Sequence, residues 1–225
     1  LNIDFSHPNV EILKLHFFCA IFSDDIIEYT SIFKMNKLNF PNLHTFNFSA
    51  LIEDSYLLDA LLKDMPQLVN LGLCVGFIGR NRTVRDDLSI IGPPLNSLRN
   101  LRCSNDLNIV KSYLRNSIQN IESLYLDRLM TSDLRLTEIS SLQKCVCLFQ
   151  ENNNVSINWP LNITEIDITH LYNITVDFFK MDYFKSPKLK TLSIRATEII
   201  ILGTGIRYIK KDYPSSYTTF SKMEI

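Results

Sequence analysis

The chain has 225 residues, 46% of them apolar, with 23 basic against 24 acidic side chains. That balance excludes a disordered or polyelectrolyte chain and leaves room for one or two domains with a buried core. Divided at residue 112, the halves carry 10 basic and 12 acidic residues, then 13 and 12, so no nucleic-acid partner is expected. The longest apolar runs, Phe17 to Phe22 and Ile199 to Leu202, fall far short of the roughly 20 residues that span a bilayer, and no membrane partner is expected.

In chain order, one six-residue template recurs: apolar, two free residues, apolar, one free, apolar. It begins at Val10 ("VEILKL"), and a weak helical stripe follows over Asp24 to Phe33. The second copy starts at Leu43 ("LHTFNF"). After it, Leu57, Leu58, Leu61, Leu62 and Met65 mark the inward stripe of a helix opened by Asp54 or Ser55. The third copy, "LVNLGL" from Leu68, leads into residues 79 to 94, whose charge, glycine and Pro-Pro pair predict an exposed loop. A fourth copy from Leu98 precedes a second helical stripe over Ile109, Val110, Tyr113, Leu114 and Ile118.

The fifth copy starts at Ile121, with a weaker helix predicted over Ser132 to Ile139, and the sixth at Leu142. Residues 150 to 160 carry no helical stripe and are expected to return as an irregular or extended segment. Copies from Ile163 and Leu189 flank a last helix candidate, Val176 to Phe184. Helices are thus expected behind most strands. After Ile194 the pattern fades, and residues 203 to 225 are expected to form a terminal capping element and tail.

Starts 21 to 33 residues apart, four of them with a proline two positions earlier (Pro8, Pro41, Pro66 and Pro187), resemble leucine-rich repeats. The asparagine or cysteine usual further along each unit is not regular here. Residues 1 to 202 are therefore read as an α/β leucine-rich-repeat solenoid of about eight repeats. Its curved parallel sheet would lie on the concave face, with helices and irregular segments on the convex face. In the third copy Leu71 and Leu73 would point inward from a strand, while Leu68 packs inward from the turn that enters it. One unit cannot bury such a triplet alone, and stacking supplies the missing partners.

Few residues suggest chemistry. Five cysteines without a CxxC pair argue against a disulfide scaffold and favour a reducing compartment. Five N-x-S/T sequons, at Asn47, Asn81, Asn154, Asn162 and Asn173, point the other way. Cys145, Cys147 and Cys103 stand where leucine normally does and read as small buried hydrophobes. His7, His16, His44 and His170 lack the paired spacing of a metal motif, so neither metal nor cofactor is expected. Arg80, Arg82 and Arg85 read as a solvated loop, Gly203 to Gly205 as a turn, and Trp159 as a packing residue. No serine elbow, cysteine–histidine pair or helical H-E-x-x-H is present, and the chain is not expected to be an enzyme.

The free template positions would face outward from the sheet. Among them Lys14, His16, Asn47, Asn100, Arg102, Tyr125, Asp127, Glu165, Asp167 and Arg195 are the candidate partner-binding residues. Basic Lys14, Arg102, Lys144 and Arg195 oppose an acidic stretch at Asp127, Glu165 and Asp167, with Tyr125 a candidate hot spot beside Arg102. Mixed charge of this kind suits a protein partner. Irregular repeat lengths and helical returns look like the repeat arms of eukaryotic F-box proteins, which select substrates for a ubiquitin ligase. The resemblance implies an intracellular protein, in cytoplasm or nucleus, that reaches the ligase core through an F-box. No F-box is recognisable in these residues, so a segment ahead of Leu1 would supply it. Two alternatives remain open: an extracellular or cell-surface recognition repeat, and a GTPase-regulatory repeat protein.

Overall fold

The offset of the first apolar residue in each template has a local cause, a tight turn that the computed structural model repeats from unit to unit. The Leu43 N–H bonds to the Phe40 carbonyl at 3.0 Å, Leu68 to Met65 at 3.2 Å and Leu98 to Leu95 at 3.1 Å. Leu142 bonds likewise to Ile139 at 3.1 Å, and Ile163 to Pro160 at 3.2 Å. Each turn closes over three residues and delivers the chain into a strand two residues later. Proline at the second turn position, as at Pro41 and Pro66, is pre-set for this geometry and gives up no needed donor.

The structure describes residues 9–21, 40–52, 56–63, 65–77, 92–104, 107–129, 133–149, 156–170, 173–176, 187–195, 198–201, 206–209 and 218–221. They fall into two compact units, Leu1–Asn120 and Ile121–Ile225. In each, the template strands stack in parallel as in a solenoid.

In the first unit, β1 (Ile12–Ile21), β2 (Thr45–Ile52), β3 (Asn70–Phe77) and β4 (Asn100–Cys103) lie side by side in chain order. The registers stack equivalent template positions: Leu13 beside Phe46, Phe46 beside Leu71 and Leu71 beside Leu101. A second inner row runs Leu15, Phe48, Leu73 and Cys103. On β2 to β4 these side chains are at most 3% exposed. Burying each of the larger ones is worth about 1.5–3 kcal/mol, and truncating one, as in Leu71→Ala, costs about 2–5 kcal/mol.

Strand entry is fixed by a repeated hydrogen bond. The carbonyl of Glu11 accepts from both His44 and Thr45, that of His44 from Val69 and Asn70, and that of Val69 from Arg99 and Asn100, all between 2.9 and 3.1 Å. One acceptor thus holds two successive donors and sets the phase of the next strand.

Two short helices return the chain behind the sheet, α1 (Tyr56–Leu62) and α2 (Leu107–Tyr113). Seven residues are too few for a helix to persist alone, so these are held by packing. Leu58, Leu61 and Leu62 of α1 and Leu107, Val110 and Tyr113 of α2 are all buried. The Tyr113 hydroxyl donates to Asp59 Oδ1 at 2.5 Å and ties α2 to α1. Burial and this carboxylate push the Tyr113 hydroxyl pKa far above its usual value. Ser117, also buried, accepts the Leu95 N–H at 2.7 Å and satisfies a donor that would otherwise be stranded in the core.

The second unit departs from the expected layout. Its parallel strands β5 (Ser123–Leu129), β7 (Lys144–Phe149), β9 (Glu165–His170) and β11 (Thr191–Arg195) follow the template. The helix expected over Ser132 to Ile139 is instead strand β6 (Asp133–Arg135) followed by a turn. Its alternation, Asp133, Leu134, Arg135, Leu136, has the period of a strand and competes with the helical stripe, and pairing with a distant segment decides for the strand. β6 pairs in parallel with β8 (Ser156–Asn158), so the segment expected to return as irregular or extended holds an extended strand. A third sheet joins β10 (Asn173–Val176), β12 (Glu198–Ile201) and β13 (Ile206–Ile209).

Helices therefore back the sheet only in the first unit among the described residues. Here Trp159, just ahead of the entry turn, is buried at 5% exposure, as a packing residue should be. In the 203–225 segment, β14 (Thr218–Ser221) pairs antiparallel with β11. The helix candidate at Asp24 to Phe33, most of that at Val176 to Phe184, most of the loop at 79 to 94 and the glycines at 203 to 205 lie outside the described residues. So do Arg80, Arg82 and Arg85.

Candidate functional site

Strand alternation sends every second template residue out of the core, and the registers arrange these side chains in rows across each sheet. In the first unit the first row holds Ile12, Thr45, Asn70 and Asn100. Its polar members form a chain: Asn100 Nδ2 donates to Asn70 Oδ1 at 2.6 Å, and Asn70 Nδ2 donates to Thr45 Oγ1 at 2.8 Å. Thr45 Oγ1 then meets His44 Nδ1 at 3.0 Å, and His44 Nε2 lies 3.5 Å from Glu11 Oε2.

The second row holds Lys14, Asn47, Gly72 and Arg102. Lys14 and Arg102 are exposed, as is His16 in the row beyond. Asn47 leans across β3 into the space that a side chain at Gly72 would take: a Cβ there would collide with Asn47 Oδ1 and lie 3.0 Å from its Cγ. Cys74, in the third row, is an exposed thiol.

In the second unit the first row runs Ser123, Lys144, Glu165 and Thr191, and the second Tyr125, Val146, Asp167 and Ser193. The charges are spent on each other. Lys144 Nζ contacts Glu165 Oε1 at 2.6 Å, and Arg195 Nη2 contacts Asp167 Oδ2 at 2.6 Å. Asp167 is the more enclosed carboxylate, and its Oδ1 is buried with no hydrogen-bond partner among the described residues. Its pKa is raised by burial, which outweighs the lowering by Arg195; Glu165 raises it further and Lys144 lowers it. Tyr125 is half-buried beside Val146, and Asp127 lies one row further along β5.

All ten candidate residues sit at outward strand positions. Within a unit the structure brings together Lys14 with Asn47 across one strand pair, and Asp167 with Arg195 in an ion pair. Glu165 is joined to Lys144, which the sequence placed on this face as a basic counterpart to the acidic stretch. Lys14 and Arg102 share a row but lie three strands apart. The sequence reading missed Glu11 and His44. Both occupy the second template position, directly after Val10 and Leu43, and that shared register was the signal that would have paired them.

Cys103, Cys145 and Cys147 have no exposed surface, and the Cys145 and Cys147 sulfurs are 3.5 Å apart without a disulfide. Burial raises the Cys145 thiol pKa strongly, with Cys147 adding to the shift. Two sequon asparagines have side chains that can be placed. Asn47 covers Gly72, whereas Asn162 Nδ2 donates to the Ser140 carbonyl at 2.8 Å and its Oδ1 accepts from Lys188 Nζ at 2.7 Å. Among the described residues no three His, Cys, Asp or Glu side chains gather to hold a metal ion, and no helix is long and apolar enough to cross a membrane. Comparison with protein-family models, curated proteins and solved structures found no match for this chain.

Proposed function

We propose that this chain is a protein-interaction module of the leucine-rich-repeat kind, whose outward sheet face holds a protein partner. The observation that carries this reading is the division of labour along each strand. The two inward template positions of each strand are apolar and, from β2 onward, buried, while most outward positions carry amides, hydroxyls and charges, several of them joined by hydrogen bonds and ion pairs. A preordered polar surface loses less side-chain entropy on binding than a floppy one, which is what a recognition face needs.

The finer proposal is that the module selects substrates for a ubiquitin ligase inside the cell. Four thiols outside any disulfide, one of them exposed at Cys74, support a reducing compartment. The engaged amide of Asn162, the nitrogen a glycan would modify, argues in the same direction. The test is affinity purification of the full-length protein from its own cells, comparing wild type with Tyr125→Ala plus Arg102→Glu. Ligase components in both samples, with one further protein lost only from the double variant, are the expected result. Glycans on the purified chain and no ligase components would overturn the adaptor reading.

A further inference from the structure

The outward hydrogen-bond chain of the first unit has a direction. Glu11 Oε2 faces His44 Nε2 at 3.5 Å, and a carboxylate there favours the neutral tautomer that carries its proton on Nε2. Nδ1 is then bare, and at 3.0 Å it accepts the hydroxyl proton of Thr45. The Thr45 oxygen accepts in turn from Asn70 Nδ2 at 2.8 Å, and Asn70 Oδ1 accepts from Asn100 Nδ2 at 2.6 Å. Every proton along this chain points toward Glu11, so the Thr45 hydroxyl has none to offer outward.

A proton gained at His44 Nδ1 inverts one link. The imidazolium donates from both nitrogens, Nε2 to Glu11 and Nδ1 to Thr45. The Thr45 oxygen can accept from His44 and Asn70 together on its two lone pairs, and its own proton then turns out of the chain. His44 is open to solvent, with 45% of its side chain exposed, and Thr45 is half-buried at an outward strand position. The charged surroundings are sparse. Of the elements beside His44, β1 and its entry bring Glu11, Lys14 and His16, the latter two further along the strand. The turns at 40–43 and 65–68 bring no charge, and β3 brings only the Cys74 thiol, in the third row. Arg99 holds the same template position two strands away, past Val69, and its guanidinium bonds to the Asn96 and Leu98 carbonyls. Glu11 is therefore the charge that sets the starting tautomer.

We propose that Glu11, His44 and Thr45 form a proton-driven switch: protonating His44 converts the Thr45 hydroxyl from a donor spent within the chain into a donor offered to a carbonyl oxygen laid on the sheet. The switch goes beyond the interaction reading above and belongs to the chain by itself, so either can fail while the other stands.

The test is nuclear magnetic resonance of the isotope-labelled full chain, titrated from about pH 8 to about pH 5, the range in which imidazole changes charge. At the alkaline end, ring correlations are expected to place the His44 proton on Nε2. As pH falls, the His44 ring and the Asn70 side-chain amide should shift with one midpoint, because an oxygen that no longer donates to His44 is a weaker acceptor for Asn70. Thr45→Ser should keep the shared midpoint. Thr45→Val should leave His44 titrating and lose most of the Asn70 shift, which separates the relay from the field of the new charge. Glu11→Gln should populate both tautomers of the neutral ring, a readout that needs no change at Thr45. A proton on Nδ1 at the alkaline end, a His44 ring that does not titrate in this range, or an Asn70 amide that stays fixed while it does would overturn the proposal. So would an Asn70 shift that survives unaltered in Thr45→Val, or a tautomer balance unmoved by Glu11→Gln.

Discussion

Gly92→Ala tests the packing behind the first sheet more sharply than any truncation. A Cβ at Gly92 would lie 2.6 Å from Tyr113 Cζ, 2.8 Å from Cε1 and 3.0 Å from Cε2. Carbon atoms in favourable contact stand about 3.5–4.0 Å apart, so the ring must move. It has little freedom to do so: Tyr113 is 1% exposed, its hydroxyl is bonded to Asp59, and its carbonyl accepts the Gly92 N–H at 2.8 Å. Overpacking of this kind costs about 1–3 kcal/mol, and the reduced freedom of the unfolded chain returns about 0.4–1 kcal/mol. The net loss expected is about 1–2 kcal/mol, read as a lower urea midpoint at unchanged slope and a Tm lower by about 2–8 °C. Combining it with Tyr113→Leu, which removes the obstructing edge of the ring, should cost less than the sum of the single changes by at least about 0.5 kcal/mol. Gly92→Ala as stable as wild type, or strictly additive effects, would refute the contact.

Other expectations follow from single groups. Because the Tyr113 pKa is raised on folding, its contribution is complete below about pH 10, the unfolded value, and is lost as pH rises beyond it. Alkaline unfolding should therefore begin at higher pH in Tyr113→Phe than in wild type, measured by circular dichroism; identical curves would remove the linkage. Ser117→Ala strands the buried Leu95 N–H and should cost about 1–3 kcal/mol in urea denaturation, whereas an unchanged midpoint would mean that another acceptor serves. Under native conditions Cys74 should react with a thiol reagent within the mixing time, while Cys103, Cys145 and Cys147 react only as fast as the protein opens. Labelling of the Cys145 and Cys147 pair at the rate of Cys74 would show that their part of the core is open.

The strands were legible in the sequence because each apolar triplet carries two signals at once: alternation within the strand and an offset residue from the turn. That redundancy located even the cysteine-bearing copy at Leu142, where Cys145 and Cys147 replace leucine. The returns carried less. Over Ser132 to Ile139 a helical stripe and a strand alternation coexist, and the pairing of Asp133–Arg135 with Ser156–Asn158 decides between them across a separation that no local window sees. The apolar residue three positions ahead of each template was not recognised as part of the repeat, and Met65 and Ile118 were assigned to helical stripes instead. Phe40, Met65, Leu95, Ile118 and Ile139 are all buried, three positions ahead of the template. Candidate face residues were legible as outward positions, because phase alone determines that. Their partners were not, since Lys144 and Glu165 meet only through stacking of units 21 residues apart in sequence.

The doubly accepting carbonyl at these template-strand entries also bears on how such a chain can change. Among the described residues it resets the phase at the entries of β2, β3, β4, β7, β9 and β11, so what happens in the preceding return is not passed on. An insertion or deletion behind the sheet is absorbed there, and the lattice of outward side chains keeps its spacing. Copies starting 21 or 33 residues apart are then equivalent seen from the front, and lineages can lengthen or exchange their returns while the recognition surface is altered one residue at a time.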